Sequence, residues 1–154
     1  MSNNNIKSNS SIDQIRKLLD QGNPHEALKF VDRLGLKTPI IENARGVCLM
    51  RLGKTEQAVS VLRDIVFRGY VCIPSDTPAL YQLNFAAALL MCNHKDAAIP
   101  ILNKLDAGEC PGAVKVKEAV SKWKENLNIF QKFLCSIGYY PVKKIIFDFP
   151  LGEI

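Results

Sequence analysis

A chain of 154 residues in which 47% are apolar is long enough to bury a core as a single domain. Its 20 basic and 15 acidic residues give a net charge of +5 that is spread along the chain, which argues against a dedicated nucleic-acid-binding protein. The five cysteines form no C-x-x-C pair and their number is odd, so a complete disulfide framework is not expected and a cytoplasmic, reducing location is. The longest unbroken apolar run, residues 85–92, is too short to span a bilayer, so no membrane insertion is expected.

Cap and stop signals divide the first two thirds of the chain into six predicted helices. Residues 1–10 are polar and are predicted to form a disordered N-terminal tail. A first helix opens at Ser11 and stops at Gly22, and the others are predicted at about residues 24–34, 40–52, 56–68, 78–90 and 97–105. Pro100 lies inside the sixth helix, where it is expected to kink the helix or to mark a late start.

The last third has the most regular helical periodicity. Apolar residues recur at alternating spacings of four and three, which predicts one long helix at 113–137; they are Val116, Val120, Trp123, Leu127, Phe130, Leu134 and Ile137. Residues 139–154 contain two prolines and are predicted to be a short extended tail. The predicted organisation is thus a disordered tail at 1–10, a helical domain at 11–138 and an extended tail at 139–154.

An internal repeat connects the first six helices. Its best copy is the second helix pair, and the matching positions are Leu18, Gly22, Ala27 and Val31; Gly46, Leu49, Gly53, Ala58 and Leu62; and Ala86, Leu89, Asn93, Ala98 and Leu102. Over residues 11–105 the chain resembles the tetratricopeptide repeat (TPR) family. It departs from the family pattern because Glu42 stands where the family has an early Trp, and because the closing proline of each repeat is absent.

This resemblance implies an all-α fold, a right-handed array of about three TPR-like helix hairpins with a long C-terminal capping helix. It also implies a concave groove formed by the first helix of each pair. Carried over by matching position, the candidate partner-binding residues are Arg16, Asn43, Val47, Met50, Arg51, Leu83, Ala87 and Leu90. Only Arg16, Asn43 and Arg51 suit a carboxylate, and the third pair adds none, so a clamp for a peptide carboxylate is not favoured.

The implied function is a protein–protein interaction module, an adaptor that binds a peptide or an amphipathic helix in an apolar groove. Two alternatives stay open: a secretion-chaperone-like protein that holds a hydrophobic client, and a structural subunit that forms a homo-oligomer through its own tail. The long helix or the tail of the same chain is an equally good candidate occupant of the groove.

Other functional classes find little support in the residues. The two histidines, His25 and His94, have no Cys or carboxylate at metal-ligand spacing, and no phosphate-binding or nucleophile motif occurs, so we expect no metal, no cofactor and no enzymatic activity. Lysines flank the apolar stripe of the predicted long helix and Trp123 could stack on a base, but Glu118 and Glu125 interrupt the basic face. Nucleic-acid binding is therefore ranked last.

Overall fold

The computed structural model describes the backbone of residues 2–106, 108 and 110–154, and the side chains of these residues from Ser10 onward. The described part has eight helices and no strand, which confirms that the fold is all-α. The helices are α1 (Ser2–Asp20), α2 (Pro24–Leu34), α3 (Pro39–Arg51), α4 (Thr55–Phe67), α5 (Ala79–Met91), α6 (Lys95–Lys104), α7 (Gly112–Glu125) and α8 (Ile129–Ser136).

Predicted turn residues lie just after α1, α3 and α5. Gly22 and Gly53 follow α1 and α3 with positive φ angles, and Asn93 follows α5 with a φ of 67°. The left-handed conformation is open to glycine and, more than to most other residues, to asparagine. Asn93 therefore takes the place that glycine holds in the two earlier pairs. Pro100 lies within α6, which begins five residues before it.

The start of α1 differs from the prediction. The helix begins at Ser2 instead of Ser11, because each further residue in a helix adds one backbone hydrogen bond once the first turn exists. The described side chains of α1 that pack into the core are Ile12, Ile15 and Leu19. Of the predicted disordered tail, residues 2–10 belong to α1 by their backbone, and the side chains of residues 1–9 lie outside the described residues.

Consecutive helices pack against each other from α1 to α6, and α3 also contacts both α1 and α5. The odd-numbered helices α1, α3 and α5 are therefore neighbours in one layer. In α5 every residue from Leu83 to Leu90 is buried, since this helix contacts α3, α4, α6 and α7. Apart from Asn84 this run is apolar and has no polar face, as such a central helix requires.

Small residues allow α3 and α4 to approach closely. A Cβ on Gly46 would lie 2.5 Å from Cγ of Leu62, so glycine leaves the space that the leucine fills. Ala58 on α4 is fully buried. The α3–α4 packing thus depends on residues with little or no side chain.

The predicted single helix at 113–137 is wrong. The chain leaves the helix after Glu125, and Asn128 starts α8 with a capping box in which its side chain accepts from the Gln131 backbone N–H at 2.8 Å. Asx side chains favour helix starts because they satisfy an otherwise unpaired N–H group. The first half of the apolar stripe is buried and α7 packs on α5, but Phe130 on α8 is 67% exposed and no residue of α8 is buried.

Residues 139–154 form neither helix nor strand, as predicted. They run back over the helices, and Ile145 and Leu151 become part of the buried core. The indole N–H of Trp123 donates to the main-chain oxygen of Lys143 at 2.8 Å, which ties the beginning of this stretch to α7. None of the helices in the described part is both long enough and apolar enough to cross a membrane.

Candidate functional site

The candidate site is the surface of α1, α3 and α5 on which residues 147–154, the return segment, lie. Two arginines hold the return segment by its main chain. Arg16 donates to the main-chain oxygen of Ile154 from Nε at 3.1 Å and from Nη2 at 2.6 Å. Arg51 donates from Nε to the oxygen of Leu151 at 2.7 Å and from Nη2 to that of Gly152 at 3.1 Å. The planar guanidinium fork suits two neighbouring acceptors.

Two buried asparagines lie between these arginines and bind Glu153. The side-chain amide of Asn84 donates to the oxygen of Glu153 at 2.7 Å, and its Oδ1 accepts from the N–H of Glu153 at 3.0 Å. The same amide donates to Oδ1 of Asn43 at 2.9 Å, and Nδ2 of Asn43 donates to the oxygen of Glu153 at 3.3 Å. An extended residue thus has both its main-chain groups satisfied by side chains, in the way that a neighbouring strand would satisfy them.

Gly152 is the point of closest approach between the return segment and α3. Its φ angle is +88°, and a Cβ at this position would lie 2.8 Å from Cε of Met50 and 2.9 Å from Cγ1 of Val47. Both the backbone conformation and the space therefore require glycine. The apolar side chains Val47 and Met50 form the floor of the site at this point.

Apolar contacts continue on both sides of the glycine. Met50 and Arg51 line a cavity of about 290 Å³ together with Phe147, Phe149 and Leu151. Leu83 and Ala87 line a smaller cavity of about 100 Å³ with residues 149–153. The surface thus combines an apolar floor with amide and guanidinium donors.

Burial shapes the electrostatics of the site. Desolvation lowers the pKa of Arg51 from its ordinary value, and the distant Asp20 carboxylate partly offsets this. No carboxylate in the described part of the chain forms a salt bridge with Arg51, and its hydrogen bonds go to main-chain carbonyls. The positive charge is therefore directed at the partial negative charges of the return segment.

The predicted site residues meet at this surface with one exception. Arg16, Asn43 and Arg51 bind the return segment directly, Val47 and Met50 lie under Gly152, and Leu83 and Ala87 line a shared cavity. Leu90 is buried in α5, and no described contact joins it to the return segment.

The sequence analysis missed Asn84. Because the helix register was taken from the matching repeat positions, the third pair seemed to supply no polar group. The available signal was an amide inside a helix that is otherwise almost entirely apolar. Buried amides need partners, so such a residue points either to a neighbouring helix or to a ligand.

A third cavity of about 600 Å³ lies between α7 and residues 143–149. Its lining includes four lysines and two acidic residues, which are Lys115, Lys122, Lys143, Lys144, Glu118 and Asp148. The ring of Trp123 is only 5% exposed, and Nζ of the buried Lys95 lies 5.2 Å from its centroid. Trp123 therefore cannot serve as a stacking platform for a base, as the nucleic-acid alternative required.

In the described residues, the ionisable and metal-binding side chains form no candidate metal or catalytic site. No group of three or more His, Cys, Asp or Glu side chains there could hold a metal ion. Cys48 is buried, and desolvation raises the pKa of its thiol to about 12, which keeps it protonated and unreactive. Cys92 is partly exposed.

Comparisons of the chain with protein-family models, with curated proteins and with solved structures found no match.

Proposed function

We propose that this chain is a protein-interaction module that binds an extended peptide on the surface of α1, α3 and α5. In this proposal, α1–α2, α3–α4 and α5–α6 are three TPR-like pairs in a right-handed array, and the site is its concave face. The location is cytoplasmic, and the module needs no cofactor and catalyses no reaction.

The observation that carries the proposal is the way in which the surface holds the return segment. Four side chains from three helices bind the main-chain groups of residues 151–154, with donor–acceptor distances from 2.6 to 3.3 Å. Such contacts suit an extended chain and not a helix, whose main-chain groups are already paired within it. An extended peptide is therefore favoured over the amphipathic helix that the sequence also allowed.

The apolar floor supplies the other part of the binding energy. Val47, Met50 and Leu83 are buried in the presence of the return segment, and apolar contact area contributes roughly 25 cal/mol per Å² removed from water. A partner peptide in the place of the return segment would bury the same side chains. The client-holding chaperone alternative uses the same floor, but it does not account for the four polar side chains.

The test is selection from a random peptide library displayed on phage, with the full chain carrying Gly152→Val as bait. This substitution is expected to release the return segment, because valine fits neither the positive φ angle nor the space above Met50. We expect enriched peptides that lose binding when Met50→Glu or Arg51→Ala is added to the bait. Arg63→Ala is the matched control, since Arg63 is exposed on α4.

Enriched peptides that bind the Met50→Glu and Arg51→Ala baits as well as the parent bait would place the binding site elsewhere. Circular dichroism of each bait shows whether the helices are intact.

A further inference from the structure

We propose that the peptides recognised by this surface carry an apolar residue followed directly by glycine, and that they compete with the Leu151-Gly152 pair of the return segment. This inference rests on the proposed function and specifies its ligand. The return segment is the chain's own example of that ligand.

The requirement for glycine at this position rests on the backbone conformation and on the space available. At residue 152 the main chain adopts a φ of +88° and passes so close to α3 that a Cβ would come within 3.1 Å of three side-chain carbons of Val47 and Met50. Val47 is fully buried and β-branched, so its two γ carbons have little freedom to move away, whereas the end of Met50 borders a cavity. A ligand with any other residue at this point must lift away from α3, and would lengthen the two hydrogen bonds from Arg51.

The residue before the glycine must be apolar. The side chain of Leu151 is buried and lines the cavity that Met50 and Arg51 share with the two phenylalanines. A basic side chain here would lose its hydration beside the like charge of Arg51, which lines the same cavity. A carboxylate would compete for the guanidinium, which holds the main-chain oxygen of this residue at 2.7 Å from Nε.

The residue after the glycine is held through its main chain. The N–H and C=O of Glu153 are bound by Asn84 and Asn43, while its side chain is exposed and places its carboxylate against Gly112 at the start of α7, where a Cβ on Gly112 would lie 2.2 Å from Oε1. Partner and return segment need the same donors, so the two cannot bind at once.

The experiment measures binding of a synthetic peptide with the sequence of residues 147–154, Phe-Asp-Phe-Pro-Leu-Gly-Glu-Ile, to the full chain carrying Gly152→Val. The peptide is acetylated and amidated, so that it adds no charged terminus. Its Gly→Ala version is the test peptide, and its Asp→Ala version is the matched control because Asp148 is exposed. Hydrogen exchange of residues 147–154 reports whether the chain's own segment has been released.

We expect the native-sequence peptide and the Asp→Ala peptide to bind the Gly152→Val chain, and the Gly→Ala peptide to bind at least about tenfold more weakly. We also expect the unsubstituted chain to bind the native-sequence peptide at least about tenfold more weakly than the Gly152→Val chain, because its own segment competes.

Each of the other possible outcomes would contradict one part of the proposal. Equal binding of the glycine and alanine peptides would overturn the glycine requirement and leave the proposed function standing. Unchanged hydrogen exchange in the Gly152→Val chain would also overturn the requirement, since valine would then be accommodated. Equal binding by both chains would overturn competition at this surface. No binding of any peptide to a chain with a released segment would contradict the proposed function itself.

Discussion

Replacement of Asn84 by alanine tests whether the buried amide pair holds the return segment. The substitution removes three hydrogen bonds, those between Asn84 Nδ2 and Asn43 Oδ1 at 2.9 Å, between Nδ2 and the Glu153 oxygen at 2.7 Å, and between Oδ1 and the Glu153 N–H at 3.0 Å. Each contributes a net 0.5–1.5 kcal/mol, so we expect the free energy of unfolding to fall by about 2–4 kcal/mol. The loss should not exceed about 4 kcal/mol, because the return segment would be released first and water would then form hydrogen bonds with the main chain of Glu153.

The assay is urea denaturation followed by circular dichroism, and Asn103→Ala is the control. Asn103 is exposed on α6, so this change shows the effect of helix propensity alone, expected to be a stabilisation of a few tenths of a kcal/mol, about 0.5 at most. Fluorescence of Trp123, the only tryptophan, reports separately on the contact with Lys143.

The decisive comparison repeats Asn84→Ala in the chain that carries Gly152→Val. With the return segment released, only the bond to Asn43 is left to lose, so the cost should fall to about 1 kcal/mol. The same cost in both backgrounds would show that Asn84 stabilises the helices and not the return segment. A cost below about 0.5 kcal/mol in the unsubstituted chain would refute the role of the amide pair altogether.

Two further substitutions test buried positions in the helices, one for its packing and one for its charge. Gly46→Ala should lower the free energy of unfolding by about 1–2 kcal/mol in urea denaturation, because the new Cβ would lie 2.5 Å from Cγ of Leu62. In a chain that also carries Leu62→Ala, the same change should be neutral or stabilising. A loss of equal size in both backgrounds would contradict this steric explanation. For Lys95, burial lowers the pKa below the ordinary value of 10.5, so the charged form is destabilising in the folded state. We therefore expect the native chain to gain stability relative to Lys95→Met as the pH increases through the lowered pKa toward 10.5. The measurement is the free energy of unfolding of both chains against pH, and a difference that does not change with pH would mean that the ammonium group is not desolvated.

Local signals predicted most of the helices. Gly35 and Gly53 mark helix ends because positive φ angles favour glycine, and the all-α class follows from the periodicity between such marks. The periodicity from Val116 to Ile137 led to the wrong prediction of one long helix. The spacing of apolar residues continues across a short break when the next helix begins in phase with the first. Asn128 with Gln131 three residues later was the contrary signal, and it was as local as the others.

The candidate surface was predicted except for Asn84, but its occupant was left open between the tail, the long helix and a foreign peptide or helix. Residues 147–154 contact side chains that lie about 70 to 140 positions away in the chain, as the bonds from Arg16 to Ile154 and from Asn84 to Glu153 show. No local pattern encodes such a distance, and the rotation of α5 that turns Asn84 toward the segment depends on how α5 packs against its neighbours.

The sequence by itself thus determined most of the helices from α1 to α6, their turns and the small residues between them, since each depends on backbone conformation and on contacts within a few residues. Only the tertiary structure decided that α8 stays exposed, that Trp123 is buried and that the return segment occupies the surface of α1, α3 and α5. These outcomes depend on competition among remote surfaces for the same apolar contacts and hydrogen-bond donors, and that competition is settled when the whole chain is packed.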